Sequence, residues 1–152
     1  MTLVNEMRLD FEALPENEAF ARLVVSGFML PLDPTVEELS DVKTAVSEAV
    51  TNAIVHGYAG GPGTVRLRAG YTGEGEFQVD VIDHGKGIED VARARQPFFT
   101  TAPGCEERSG MGFTVMESFM DDVDVCSRPG QGTTVRLTKR IHPREDALPR
   151  RA

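Results

Sequence analysis

The chain has 152 residues, of which 40% are hydrophobic and 26% are charged, and it carries a net charge of −8 and two cysteines. This composition predicts one globular domain with a core of its own, and the acidic surface disfavours direct binding to nucleic acid. Two thiols make no disulfide framework and predict a cytoplasmic protein, and no apolar run reaches the roughly 18 residues that a membrane span needs, so we expect no membrane association.

The predicted elements follow the order β-α-α-β-β-α-lid-α-β-β. Alternating apolar residues predict strands over 7–11, 64–71, 76–83, 123–127 and 133–140. Helical spacing predicts helices over 15–30, 34–56, 88–95 and 113–119, the second of them capped by Asp33 with Pro34 at its first position. We therefore predict an α/β (α+β) two-layer sandwich, in which helices cover one face of a mixed, mainly antiparallel sheet.

Two segments lack a regular pattern. Residues 96–112 are rich in glycine and proline, and a loop of this length inside a compact domain is usually functional, so we predict a mobile lid. The charged tail over 142–152 is expected to be disordered. The predicted domain therefore spans residues 1–141.

The long helix carries Glu48, Asn52 and His56 at positions i, i+4 and i+8, so these side chains share one face. Glu48 is either a general base or a solvated helix carboxylate. Asn52 is a mediocre helix former, and its neutral oxygen suits a Mg²⁺ shell that is completed by phosphate oxygens and waters. His56 lies near the negative end of the helix dipole, and we interpret it as structural.

Asp83 ends an apolar strand and is followed by two glycines. Its carboxylate is either a turn former or an acceptor for an exocyclic amine such as adenine N6. In the second case, Gly85 and Gly87 let the backbone approach the base. Residues 130–134 read as a hairpin turn, and Thr134 is placed to buttress Asp83 if the two strands are neighbours.

Two glycines, Gly110 and Gly112, flank Met111 at the start of a predicted helix. Free N–H groups at a helix start bind phosphate, and a loop hinge is the alternative interpretation. Arg108, which precedes Ser109, is placed to reach a γ-phosphate.

Four motifs occur in a fixed order: Glu-x-x-x-Asn at 48–52, Asp-x-Gly-x-Gly at 83–87, Gly-x-Gly at 110–112 and Gly-x-Gly-Thr-Thr at 130–134. Together they resemble the N, G1, G2 and G3 boxes of the GHKL superfamily, which includes gyrase B, chaperone, histidine-kinase and MutL ATPases. Segments 47–58, 98–101, 108–113 and 116–122 are similar to the anti-sigma serine kinases, specifically to the SpoIIAB-type anti-sigma F family.

This resemblance implies a Bergerat-type ATP-binding fold, a homodimer, and ATP with Mg²⁺ as cofactors. It also implies two protein partners. A sporulation sigma factor of the sigma F type is bound and held inactive, and an anti-anti-sigma protein is phosphorylated on a serine.

The resemblance assigns roles to single residues. Asp83 takes the adenine amine, Asn52 the magnesium ion and Glu48 the proton of the substrate hydroxyl. Arg108 neutralises phosphate charge, and Arg22 belongs to the partner-contact segment of the first helix. The other cofactor-binding residues that it implies are Gly85, Gly87, Thr100, Thr101, Ser109, Gly110, Met111, Gly112 and Thr134.

Other functions share parts of this pattern. A histidine-kinase catalytic domain normally needs a separate phosphoacceptor domain, for which 152 residues leave no room. A gyrase-type or MutL-type ATPase uses its glutamate to activate water and depends on further domains. Two alternatives stay open: a paralogous kinase for a stress-response sigma factor, and an ATP-binding module that sequesters sigma without significant kinase activity. Glu48 argues against the second.

Overall fold

The computed structural model describes residues 2–96 and 112–141. The predicted tail lies outside the described residues, and so do most of the predicted lid residues, namely Thr100, Thr101, Arg108, Ser109, Gly110 and Met111. No helix within the two described stretches is both long and apolar enough to cross a membrane.

The described elements follow the predicted order. The strands are β1 (Leu3–Glu12), β2 (Thr64–Thr72), β3 (Glu76–Asp83), β4 (Asp122–Arg128) and β5 (Gly132–Arg140). The helices are α1 (Asn17–Phe28), α2 (Val36–Asn52), α3 (Val91–Ala94) and α4 (Gly112–Phe119). A 3₁₀ turn (Leu30–Leu32) follows α1, and a π-helical turn (Ala53–Gly57) extends α2.

The strands form one sheet in the order β1-β2-β3-β5-β4, with helices on one side. The predicted α+β sandwich is confirmed, but each of the four described strand pairs is antiparallel, so the expectation of a mixed sheet was wrong. The reason is topological. The chain enters β4 at the edge of the sheet, and β5 then turns back through a hairpin to lie between β4 and β3.

The start of α2 differs from the prediction. Asp33 is left-handed (φ 51°) and closes the 3₁₀ turn, and the N-cap is Thr35. The Thr35 hydroxyl accepts the Glu38 N–H at 3.0 Å, and the Glu38 carboxylate accepts the Thr35 N–H at 2.9 Å. This reciprocal pair of hydrogen bonds satisfies two backbone N–H groups that would otherwise be free. A cap at Asp33, followed by proline, would not satisfy both of them.

The sheet has one apolar and one charged face. Leu67, Val79 and Leu137 are fully buried beneath the helices. The opposite face carries two arginine–aspartate forks, described by their N–O distances: Arg136 to Asp80 at 2.8 and 3.0 Å, and Arg66 to Asp10 at 2.7 and 3.1 Å. Helices therefore cover only the apolar side, and this is the side toward which Asp83 points at the end of β3.

Candidate active site

Helix α2 positions two of the predicted site residues. Its buried stripe includes Val42, Val46 and Val50, which pack toward the sheet. Glu48 and Asn52 flank this stripe and are half-buried, as their helical spacing predicted. The helix therefore holds a carboxylate and a carboxamide one turn apart at the border between core and solvent.

The end of α2 is a π-helical turn, which the sequence analysis did not predict. Tyr58 donates its N–H to the Ala53 carbonyl at 3.0 Å, five residues back. Such turns insert one extra residue into a helix and are frequent at functional sites. Here the insertion carries Gly57 against the side chain of Asp83.

Asp83 is buried, with 6% of its surface exposed, at the end of β3. Burial raises the pKa of its carboxyl group above the usual value of 3.8, and hydrogen bonds from the backbone N–H groups of Gly85 and Thr133 oppose that rise. The Gly85 N–H lies 2.9 Å from Oδ1. The site therefore offers a buried acceptor that two backbone donors hold in a fixed orientation.

Glycines surround Asp83 because the backbone segments touch. A Cβ on Gly57 would lie 2.8 Å from Cγ and from Oδ1 of Asp83, and a Cβ on Gly85 would lie 1.9 Å from the Gly57 carbonyl oxygen. Gly87 has φ 76°, and a Cβ there would lie 2.1 Å from the Arg128 carbonyl oxygen. Close packing within the protein is thus sufficient to require these glycines, and their contact with a base stays a prediction.

The threonine beside Asp83 is Thr133, not the predicted Thr134. Asp83 pairs with Thr133, whereas Thr134 pairs with Ile82. Side chains alternate along a strand, so Thr134 points to the opposite face of the sheet and is wrongly placed to buttress Asp83. The Thr133 hydroxyl lies 2.7 Å from the Ser127 hydroxyl, and Ser127 also accepts the N–H of Ile88 at 2.7 Å.

Asn52 lies against the start of α4. A Cβ on Gly112 would lie 3.1 Å from Nδ2 and 3.2 Å from Oδ1 of Asn52. The side chain of Asn52 makes no capping hydrogen bond to the π-helical turn. The fold therefore brings the predicted magnesium ligand to the beginning of the helix that was predicted to bind phosphate, although the two are 60 positions apart in the sequence.

The predicted partner residue Arg22 lies on α1, outside these contacts. Its Nε is 3.0 Å from the Glu18 carboxylate, and 41% of its side chain is exposed. Glu18 also accepts a hydrogen bond from the Ser47 hydroxyl on α2.

Three residues near Asp83 were not predicted as site residues, namely Gly57, Tyr58 and Thr133. The signal available for the first two was a Gly-Tyr pair directly after the helix that carries Glu-x-x-x-Asn.

Comparison with known proteins agrees with this geometry. Residues 11–139 match the family model of the histidine kinase-like ATPase domain. The anti-sigma F factor of Thermoanaerobacter sp. (strain X514) is 54% identical over 141 residues, which are 93% of this chain and 97% of that protein. The anti-sigma F factor of Bacillus subtilis (strain 168) is 53% identical over 138 residues, which are 90% of this chain and 93% of that protein.

Solved structures share the fold at lower identity. The RsbU and RsbW domains of Rv1364c from Mycobacterium tuberculosis align with a TM-score of 0.64 and 22% identity over 91% of this chain and 32% of that one. The mycobacterial sensor histidine kinase MprB aligns with a TM-score of 0.54 and 22% identity over 70% of this chain and 74% of that one. The family match and the identity over nearly the whole length show that this chain belongs to the anti-sigma F factor family, within the histidine kinase-like ATPases.

Proposed function

We propose that the chain binds and inhibits a sigma factor of the sigma F type, and that it uses ATP with Mg²⁺ to phosphorylate a serine of an anti-anti-sigma protein. The observation that carries this proposal is the meeting of three sequence-distant features at the end of α2. Asn52 touches the start of α4, Gly57 touches Asp83, and Glu48 lies one turn before Asn52 on the same helix.

The buried carboxylate suits the adenine end of the nucleotide. Asp83 accepts from the exocyclic amine of adenine, and its two backbone donors fix the direction of its free lone pairs. A site that is built to pair with a substrate N–H discriminates strongly against a base that lacks it. The predicted base contacts of Gly85 and Gly87 belong to the same proposal, with Thr133 in place of Thr134.

The other end of the site suits the phosphates. A magnesium ion here would be held by Asn52 together with phosphate oxygens and waters, since a neutral amide oxygen is a suitable ligand for this ion. The bound metal supplies charge neutralisation in phosphoryl transfer, which depends mainly on positioning and electrostatics. Arg108, Thr100, Thr101 and the 109–112 segment complete the proposed phosphate site.

Glu48 is the proposed catalytic base. It lies half-buried on α2 beside the proposed phosphate end, where it orients the serine hydroxyl of the incoming protein and accepts its proton. Arg22, on the exposed part of α1, is the proposed partner contact, and the functional unit is proposed to be a cytoplasmic homodimer.

One experiment tests the activity directly. The purified chain is mixed with Mg-ATP and candidate anti-anti-sigma proteins, and phosphoserine is sought by mass spectrometry. We expect one modified serine in the cognate partner, with none when Mg-ATP is omitted. Sigma binding that persists without any phosphoserine would instead assign the chain to the sequestration module. Binding of a stress-response sigma factor in preference to sigma F would assign it to the paralogous kinases.

A further inference from the structure

Tyr58 links the turn after Asp83 to the start of β2 through its hydroxyl group. Its hydroxyl accepts the backbone N–H of His84 at 2.8 Å and donates to the carbonyl of Thr64 at 2.6 Å. His84 directly follows Asp83, and Thr64 is the first residue of β2. One hydroxyl therefore ties the residue after the buried carboxylate to the start of a neighbouring strand.

The residue before Tyr58 holds the other end of the same turn. The Gly57 carbonyl accepts the N–H of Lys86 at 2.8 Å. The pair Gly57–Tyr58 therefore fixes the turn on both sides of Gly85, through a backbone oxygen at Lys86 and a side-chain oxygen at His84. Asp83 enters this turn directly from β3, so these two bonds hold the residues that follow it, while Thr133 on β5 pairs with Asp83 itself.

Two further features keep Tyr58 in this position. The π-helical turn places it one residue later than an α-helix would, through the bond from its N–H to Ala53. Its ring lies against Gly63, where a Cβ would come within 2.4 Å of the ring carbons. The absence of a side chain at Gly63 therefore leaves the space that the ring needs to bring its hydroxyl to His84 and Thr64.

We propose that Tyr58 is a positioning residue for base recognition, which acts by holding the Asp83 turn in the orientation that accepts the adenine amine. This inference rests on the proposed role of Asp83. It predicts that loss of the hydroxyl alone, with the ring retained, weakens the binding of an adenine nucleotide more than that of a nucleotide whose base lacks the exocyclic amine at that position.

Tyr58→Phe is the test variant, and Tyr71→Phe is its matched control. These are the two tyrosines of the chain. The Tyr71 hydroxyl also makes a hydrogen bond, from Asn5 Nδ2 at 3.0 Å, but it lies on β2 beside β1, away from the Asp83 turn. Both variants delete one hydroxyl from a packed ring. Circular dichroism and thermal melting establish that each is folded at the assay temperature.

Calorimetry then compares ATP with GTP on the full chain. Loss of the two hydrogen bonds of the hydroxyl, which hold the turn that carries the acceptor, is expected to raise the Kd for ATP about tenfold in Tyr58→Phe. The Kd for GTP should change less than about twofold, so the preference for ATP falls by about fivefold or more. Tyr71→Phe should keep the wild-type values, whatever its melting temperature.

Two results would overturn the inference: wild-type ATP affinity in folded Tyr58→Phe, or an equal loss for both nucleotides, which is the mark of a merely structural tyrosine. Gly63→Ala provides a second route, because it displaces the ring while the hydroxyl is retained, and it should lower the same ATP preference. If the wild-type chain itself shows no preference for ATP over GTP, the proposed adenine role of Asp83 is what fails.

Discussion

Gly57→Ala should disable the site through a single methyl group. The added Cβ would lie 2.8 Å from both Cγ and Oδ1 of Asp83, whereas carbon atoms in contact are normally about 3.5 Å apart. The carboxyl group must therefore retreat by roughly 0.7 Å, or the end of α2 must move by a similar distance. Gly57 is not left-handed, so alanine fits its backbone, and the three heavy atoms nearest to the added Cβ all belong to Asp83.

The expected loss of ATP affinity follows from the hydrogen bond between the adenine amine and the Asp83 carboxylate. A hydrogen bond to a charged acceptor contributes about 1.5–3 kcal/mol, so losing its alignment should weaken ATP binding by about tenfold to a hundredfold. Isothermal titration calorimetry measures the affinity, and urea unfolding measures the stability. Gly57→Ala should also lose some stability, because overpacking costs about 1–3 kcal/mol and the restriction of the unfolded chain by alanine offsets only about 0.4–1 kcal/mol of that cost.

Gly27→Ala is the control for the added methyl group. Nothing lies within 4 Å of a Cβ at Gly27, which is inside α1. This variant should gain about 0.5–1 kcal/mol of stability and bind ATP as the wild type does. Wild-type ATP affinity in folded Gly57→Ala would show that the contact with Asp83 does not matter for nucleotide binding, and would refute the proposed site.

Four further variants test separate parts of the molecule. Glu48→Gln should bind ATP almost normally and phosphorylate about 10²–10⁴-fold more slowly in a radiolabel transfer assay; unchanged turnover would remove Glu48 from the mechanism. Asp83→Asn should weaken ATP binding by about 1.5–3 kcal/mol in calorimetry. Burial raises the pKa of Asp83 above 3.8, so ionisation of its carboxyl group destabilises the free protein. The free energy of unfolding of the wild type, relative to that of Asp83→Asn, should therefore fall as the pH rises through the raised pKa. The affinity of the wild type for ATP should rise over the same pH range. Arg136→Gln should lower the free energy of unfolding in urea by about 2 kcal/mol, because it leaves Asp80, whose side chain is 3% exposed, without its partner. The control Arg66→Gln breaks an exposed ion pair and should lower it by less than about 1 kcal/mol. Equal losses in the two variants would contradict the role of burial.

The sheet was largely predictable from the sequence because a two-residue period records which face of a strand is buried. All five strands were found, with ends that differ by a few residues at most. The predicted start of α2 was wrong because two sequence patterns for a helix N-cap overlap within three residues. Asp33-Pro34 fits one cap pattern and Thr35-x-x-Glu38 fits another, and only the reciprocal hydrogen bonds decide between them.

The residue types of the proposed site could be predicted from the sequence, but which residues lie beside one another in space could not. Helical spacing, the position of an acid at a strand end and the resemblance singled out Glu48, Asn52 and Asp83, and their roles stay predictions. Thr133 and Thr134 are the same residue type at adjacent positions, so only the register of β5 against β3 shows which one faces Asp83. The π-helical turn leaves no trace in the apolar period, because it adds one residue at the end of the stripe.

Helix α2 connects the two halves of the proposed function. Ser47 donates its hydroxyl to Glu18, and the same Glu18 carboxylate holds Arg22, the proposed partner contact. The next residue along α2 is Glu48, which lies one turn before Asn52 on the same face of the helix. The Arg22–Glu18 pair therefore contacts α2 at the residue before the proposed base. If both proposed partners dock on α1, we expect them to compete for one face while α2 carries the proposed chemistry.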